Sequence, residues 1–506
     1  MGGGGQQTID AAATQSGAAC SAPADPVLRV AVAGGGFSGA ILARILNSEP
    51  GVEVVVFEQS AKSSVRKHWT QPVTGAGLNL NPNALATLSQ IDPELVERLK
   101  GIGLPRNTVC ASTVSGRHLY DQDMVGEKLA ACKGLRVRWD DANTLIREAA
   151  GESIRWETIV VDHQVEESGK VTVTTEHNDG TRTVHNDFDL FVAGEGRYSP
   201  TRARVTGKPE TTFGDVCNFR ILVPNCQPDG TPWPSELGTG LFDDLQLVYN
   251  DTPSECNLSA DSPLRQDEDF MNTVMRSTPR VGIMRIPASK FREDVGESLY
   301  LFGNFAIPDK GQIPEASKTK EAMHCLFTPA SGDESMTAEA KFIRQTLTDN
   351  AEQLHWARFQ DIEPVYGDST GHVLMLGDAC HAFCPSLGQG ATTSIEDACV
   401  AADELLGAVR KARSAGAGSV GSSMPAVVEK IGQRQTDRMR MIRDASTEAG
   451  DHVRFLEGDS DGVNCLAEDV GAWVDDAHSS GWRDTIRRVW LEHPQISNTR
   501  ANNAIC

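Results

Sequence analysis

The sequence predicts an α/β protein: a parallel, helix-covered sheet assembled from two distant stretches of chain, with a mostly antiparallel sheet inserted between them and a helical C-terminal region. Three observations carry this. An apolar run from Leu28 to Ala33 leads through Gly34-Gly35-Gly36-Phe37-Ser38-Gly39 into a helix-periodic stretch and then a second apolar run, Val52 to Phe57. Prolines and short strand-like runs fill the region from about Thr211 to Asp361. A strand-like run from His372 to Leu376 then returns to the first pattern.

Each element has a physical reason. Leu28–Ala33 is a short strand-like run, rich in valine and alanine, that ends at the glycines. After the glycines, Ile41, Leu42, Ile45 and Leu46 share one helical face. Val52–Phe57 completes a unit of about thirty residues, the size of a strand–helix–strand crossover. Val171-Thr172-Val173-Thr174 alternates and Asn178-Asp179-Gly180 supplies a turn, so a hairpin is expected between Gly151 and Leu190. Phe219–Val223 and Ser298–Phe302 read as strands of the inserted sheet. Ile395, Ala398, Cys399, Ala402, Leu405 and Leu406 recur at helical spacing, which predicts a helix from about Ala391 to Arg410. The Gly/Ser/Ala stretch from about Ser414 to Ser423 reads as a linker, followed by a helix from about Ala426 to Ala445.

A chain of 506 residues needs two or three structural units. Its 47 basic and 69 acidic residues leave a formal charge of -22, which opposes phosphate backbones and anionic lipid, so no nucleic-acid partner is expected. With 39% hydrophobic and 23% charged residues the composition is that of a globular protein. The twelve cysteines are scattered without a C-x-x-C pair, which predicts reduced thiols and a cytoplasmic location. Residues 1–26 read as a flexible leader without the apolar segment of a signal peptide, and no run reaches the 18 apolar residues of a membrane span. Gln6 occupies the position where a myristoylation signal places Ser or Thr.

Gly34, Gly36 and Gly39 form G-x-G-x-x-G between a strand and a helix. The first glycine allows a tight turn, the second lets a pyrophosphate approach the backbone, and the third lets helix and strand pack closely. The helix N-terminus attracts the anion. Glu58 falls 19 residues past Gly39 at a strand end, where a carboxylate can accept hydrogen bonds from ribose hydroxyls. This constellation points to a Rossmann-like dinucleotide domain and does not separate NAD from FAD.

Three later segments make that separation. They are Asp189-Leu190-Phe191-Val192-Ala193-Gly194-Glu195-Gly196-Arg197 continuing to Arg202, His372 to His381 with Gly377-Asp378 inside it, and Pro385-Ser386-Leu387-Gly388-Gln389-Gly390 followed by Ile395-Glu396-Asp397-Ala398. In this order they resemble the FAD-dependent aromatic hydroxylases, single-component flavoprotein monooxygenases of the para-hydroxybenzoate hydroxylase type, over about Arg29 to Arg410. The resemblance implies a discontinuous FAD-binding domain (27–205 and 361–410), a substrate domain (206–360) and a linker with a helical C-terminal region (411–506). It assigns Asp378 to the ribityl hydroxyls. Pro385, Gly388 and Gly390 become the loop beside the isoalloxazine ring, with Ala391 opening the helix whose N-terminus faces the flavin. Gly77 falls in the stretch after the ribose acid, Arg138 reaches the cofactor, and Glu195 and Arg202 serve NAD(P)H. Two departures stand out: Glu195 replaces the family's Asp, and Asp141 stands where Leu is usual.

The function implied is NAD(P)H- and O2-dependent hydroxylation of an aromatic or polyketide-like small molecule through a flavin C4a-hydroperoxide, with FAD as cofactor and NAD(P)H as transient co-substrate. Alkene epoxidation shares every cofactor motif. Outside monooxygenase chemistry, the rivals are a flavin-containing redox interaction protein and a plain NAD-dependent dehydrogenase. Cys380, His381 and Cys384 lack a second ligand pair, so no metal is expected. No P-loop lysine motif occurs. Gly282 to Pro287 is similar to a halogenase box without its tryptophans. Tyr249, Tyr300, His324 and His355 receive no role, and no catalytic residue is assigned. The oligomeric state stays open.

Overall fold

The computed structural model describes residues 26–62, 76–106, 108–123, 133–207, 212–227, 229–233, 244–250, 257–273, 279–306, 313–451 and 482–497. Five strands form a parallel sheet in the order Val373–Met375, Leu190–Ala193, Leu28–Ala33, Val52–Phe57 and Ile154–Arg155. Leu28–Ala33 takes the centre, where an apolar strand can be covered on both faces. Val32 lies between Val192 and Val56, and Val192 is in turn paired with Leu374. The sheet thus closes across two distant parts of the chain, as expected. Helix Phe37–Leu46 is buried at every position except Arg44 and packs along helix Gly390–Ser414.

A second sheet has seven strands in the order 355–361, 212–224, 298–306, 280–286, 245–249, 108–113 and 118–123. Every pairing is antiparallel except that of 245–249 with 108–113. Alternation sends successive side chains to opposite faces. Phe219, Ile221, Leu299, Leu301 and Phe305 enter a core with helices Lys320–Leu326 and Ala338–Asp349. Leu222, Met284, Ile286 and Tyr300 face the other way and join the core of the parallel-sheet unit.

Several details differ from the expectations above. Strands 108–113 and 118–123 fall inside the 27–205 span but hydrogen-bond into the seven-stranded sheet, since strand propensity does not say which sheet edge is free. The long helix begins at Gly390 and runs to Ser414, and the next spans Met424–Asp451. The stretch expected to be a linker is pinned between them: Val420 is buried and its N–H donates to Val27 O at 3.1 Å. The hairpin turn at Asn178–Gly180 forms as expected, with Gly180 at φ +85°. Residues 1–25 of the leader lie outside the described residues. A last helix, Trp482–Leu491, packs on helices Pro82–Ser89 and Met424–Asp451. No helix among the described residues is long and apolar enough to cross a membrane.

Candidate functional site

The three glycines have three distinct environments. Gly34 sits at φ +97°, and a Cβ there would stand 2.3 Å from Gly194 O. A Cβ on Gly39 would stand 2.1 Å from Gly34 O, so helix and strand touch through backbone alone. Gly36 has ordinary extended dihedrals, and among the described residues beyond its chain neighbours nothing lies within 4 Å of its Cβ position. Its open side adjoins the N-terminus of helix Phe37–Leu46, which has no side-chain cap and no acid in its first turn. First-turn N–H groups lack intrahelical acceptors, and an anion is the partner they fit. The cradle matches a dinucleotide pyrophosphate.

Glu58 is buried at the end of its strand. One carboxylate oxygen accepts from Gly35 N at 2.8 Å and the other from Ser60 N and Oγ at 2.9 and 2.6 Å. Arg147 Nη2 lies 3.4 Å away, while its Nε donates to Gly35 O at 2.7 Å. Burial pushes the Glu58 carboxyl up, but Arg147 and the hydrogen bonds from Ser60 and Gly35 outweigh it and hold it below its ordinary range. Arg147 thus ties the acid to the glycine loop. No sequence signal marked it, because it comes from the last turn of a helix remote from both.

Gly377 is wedged between the two halves of the chain. It sits at φ +60°, and a Cβ would stand 2.7 Å from Ser394 Oγ and 3.3 Å from Ser38 Oγ. The Gly377-Asp378 turn therefore adjoins the start of the glycine-loop helix, and Asp378 follows at the carboxyl end of strand Val373–Met375. Its side chain is 37% exposed, with Arg197 Nε at 4.0 Å. A carboxylate so lightly held by protein is available to ligand hydroxyls. Replacing it should leave the fold intact and weaken cofactor binding: for Asp378→Ala we expect FAD affinity to fall about 10- to 100-fold, the scale of about 1–3 kcal/mol for unpaired polar groups. Equilibrium FAD titration checks this, and unchanged affinity would remove Asp378 from the site.

Pro385–Leu387 forms a single turn, Gly388 follows at φ +64°, and Gly390 opens the long helix with no side-chain cap. Asn81 Nδ2 donates to Gly388 O at 2.9 Å, and Asn83 Nδ2 to Gln389 Oε1 at 3.2 Å and Glu396 Oε1 at 2.7 Å. Beneath this loop Asp397 is fully buried. Its Oδ1 accepts from Tyr366 Oη at 2.7 Å and Gln435 Nε2 at 3.1 Å. Its Oδ2 takes Gly377 N at 2.8 Å and contacts His381 Nε2 at 2.7 Å. Asp397 thus fixes the Gly377-Asp378 turn from below. The sequence displayed Asp397 within its segment but could not assign it, because all four partners arrive by tertiary contact.

Burial pushes the His381 imidazole down, yet Asp397 pulls harder, so its pKa is raised above the ordinary histidine value. A raised folded-state pKa stabilises fully below the unfolded-state value, and that contribution is lost as pH rises through the folded one. The stability difference between wild type and His381→Gln should therefore shrink with increasing pH above the ordinary histidine range. Thermal midpoints measured across pH test this; a difference constant or growing toward alkaline pH would refute it.

Other sequence assignments are redirected. A Cβ on Gly77 would meet Tyr300 at 2.6 Å and Ile286 at 2.8 Å, so this glycine admits the second sheet and not a cofactor. Arg138 is buried, and its guanidinium donates to Pro287 O at 2.7 Å, Gly296 O at 2.5 Å and Ser298 Oγ at 2.6 Å. Asp141, the departure from Leu, accepts from Ser289 Oγ at 2.7 Å and Lys290 N at 2.8 Å. Together they tie the first turn of helix Trp139–Ala150 to the loop around 287–298. Glu195 accepts from Ser199 Oγ and from Thr201 N and Oγ1, closing its own turn. Arg202 donates to Cys380 O at 2.6 Å and Glu363 O at 2.7 Å, which braces the stretch that follows Gly377-Asp378.

With the glycine loop, the buried Glu58 and the Gly377-Asp378 turn all at the carboxyl ends of one parallel sheet, the arrangement is that of a dinucleotide-binding site. Residues 27–229 and 252–435 match the model of a family described as FAD binding domain, and the chain belongs to that family of FAD-dependent oxidoreductases, which includes the aromatic hydroxylases. Its relatives include FAD-dependent monooxygenase sor5 of Hypocrea jecorina, 23% identical over 77% of this chain and 77% of that protein. Another is the chloroplastic zeaxanthin epoxidase of Oryza sativa subsp. japonica, 25% identical over 74% of this chain but 48% of the epoxidase. In fold it is similar to a variant of HpxO from Klebsiella pneumoniae complexed with FAD, with a TM-score of 0.62 at 17% identity, over 91% of this chain and 98% of the other.

Proposed function

We propose that this FAD-dependent monooxygenase uses NAD(P)H and O2 to hydroxylate an aromatic or polyketide-like small molecule. One observation carries the substrate class. On the face of the seven-stranded sheet turned toward the parallel-sheet unit, Tyr300 and Phe302 stack with ring centroids 5.2 Å apart, and Phe302 lies over Gly282, where a Cβ would be 2.3 Å from its ring. The Tyr300 ring packs on Gly77, so the wall this pair offers is the half-buried Phe302, an aromatic face that suits a planar, electron-rich ring.

Gly34, Gly36 and Gly39 would hold the pyrophosphate, Glu58 would serve the ribose, Asp378 the ribityl chain, and Pro385, Gly388, Gly390 and Ala391 the ring side. FAD supplies hydride acceptance and oxygen activation when bound. The chain's own residues position it, exclude water behind the seven-stranded sheet and hold the substrate against the aromatic wall. Cys217, Cys380, Cys384 and Cys399 are buried thiols, in keeping with a reducing, cytoplasmic location.

The test screens phenols, polyketides and alkenes for accelerated NADH or NADPH consumption, with oxygenated product followed by mass and peroxide by a coupled assay. Accelerated consumption with a hydroxylated ring supports the proposal. Product only from alkenes would favour epoxidation, the activity named for the rice relative. Consumption that no compound accelerates would overturn both.

A further inference from the structure

The C-terminal segment 482–497 lies beyond the family match, which ends at residue 435, yet it reaches the loop before the long helix. Trp490 is buried in helix Trp482–Leu491, and its indole Nε1 donates to Leu387 O at 3.2 Å. The same peptide unit is held at its other end, where Gly388 N donates to Pro385 O at 2.8 Å. The segment is itself fastened at its far end. Gln90, at the end of helix Pro82–Ser89, donates to Pro494 O at 3.2 Å and accepts from Ile496 N at 3.1 Å. Ser497 N donates to Asp403 of the long helix at 3.1 Å, and Arg434 donates to Gln495 O at 2.5 Å.

We infer that this segment is a strap that positions the flavin-side loop, with Trp490 as a positioning residue for the cofactor ring. The inference rests on the reading that 385–391 flanks that ring. A peptide hydrogen-bonded at both its carbonyl and its N–H cannot rotate, so the left-handed turn at Gly388 and the uncapped start of the helix at Gly390 are presented in one orientation. Asn81 holds the next carbonyl, Gly388 O, from within the FAD-binding unit. The strap supplies the remaining tether from the opposite end of the sequence. Its contacts with helices Pro82–Ser89 and Gly390–Ser414 join the two stretches that bracket the loop.

The experiment compares full-length wild type with Trp490→Phe, which keeps an aromatic ring and loses the donor, and with Gln90→Ala combined with Arg434→Ala, which removes three of the far-end ties without touching the loop. FAD dissociation constants and the visible circular dichroism of bound FAD are read for each. A strap that positions the ring should alter the flavin dichroism in both variants and weaken FAD binding about three- to tenfold, the scale of one neutral hydrogen bond. A merely structural strap would lower the thermal midpoint and leave the dichroism of bound FAD unchanged, which would overturn the inference. Gly390→Val separates this from the underlying reading, because the nearest atom to a Cβ there is Asp378 Oδ1 at 4.0 Å and the fold should accept the side chain. Flavin signals moved by Gly390→Val but by neither strap variant would sink the strap alone. Signals unmoved by Gly390→Val would remove the loop from the flavin and the inference with it.

Discussion

Gly36→Val should yield a folded protein that does not retain FAD. Among the described residues beyond its chain neighbours the valine Cβ meets no atom within 4 Å, and it sits at extended dihedrals that any residue adopts. Its bulk fills the space where a pyrophosphate must approach the first-turn N–H groups. Losing two charge-assisted hydrogen bonds, each worth about 1.5–3 kcal/mol, corresponds to a fall in affinity of about 100-fold or more. The contrast variant is Gly39→Ala, whose Cβ would press on Gly34 O and which should damage the fold before it touches the ligand. Apo-protein melting and FAD titration distinguish the two. A Gly36→Val protein that binds FAD like wild type would place the phosphates elsewhere.

Asp397→Asn should produce the largest loss of stability. Each carboxylate oxygen has two partners, and an amide would turn one oxygen into a donor facing other donors: Tyr366 and Gln435 on one side, Gly377 N and His381 on the other. Breaking a buried charged pair by altering one member costs about 3–5 kcal/mol, here a drop of roughly 3–5 °C in thermal midpoint. FAD affinity should fall with it, because the Gly377 N–H that orients the Asp378 turn loses its anchor. Glu396→Gln is the comparison. Glu396 is equally buried and pairs with Arg438 at 2.7 Å, but it does not hold that turn, so it should lower stability without the same loss of FAD affinity. Equal effects of the two variants on FAD binding would show that Asp397 does not act through the turn.

The parts of the site legible in the sequence were those whose chemistry is local. Gly34, Gly36 and Gly39 need only backbone shape between a strand and a helix, and their spacing announces it. Gly377-Asp378 was legible because a strand end followed by Gly-Asp keeps its meaning wherever the chain goes. Arg138 and Gly77 were misplaced for the opposite reason. Both lie in antiparallel strands, where Gly77 pairs with Arg138, but what each touches is set by the loop near 287–298 and by Tyr300, far along the chain. Glu195 and Arg202 belong to the same class, with carboxylate and guanidinium spent on neighbours that only folding supplies.

By itself, then, the order of apolar runs, glycines and acids determined an α/β fold, a discontinuous parallel sheet and a dinucleotide cradle, since those follow from periodicity and backbone freedom within a few tens of residues. The tertiary structure alone decided that Asp397 would hold the Asp378 turn, that Arg147 would lock Glu58, that strands 108–113 and 118–123 would join the second sheet, and that Trp490 would reach the loop at Leu387. A buried polar group must find a partner from whatever the packing brings near it, and that choice is made across the whole chain.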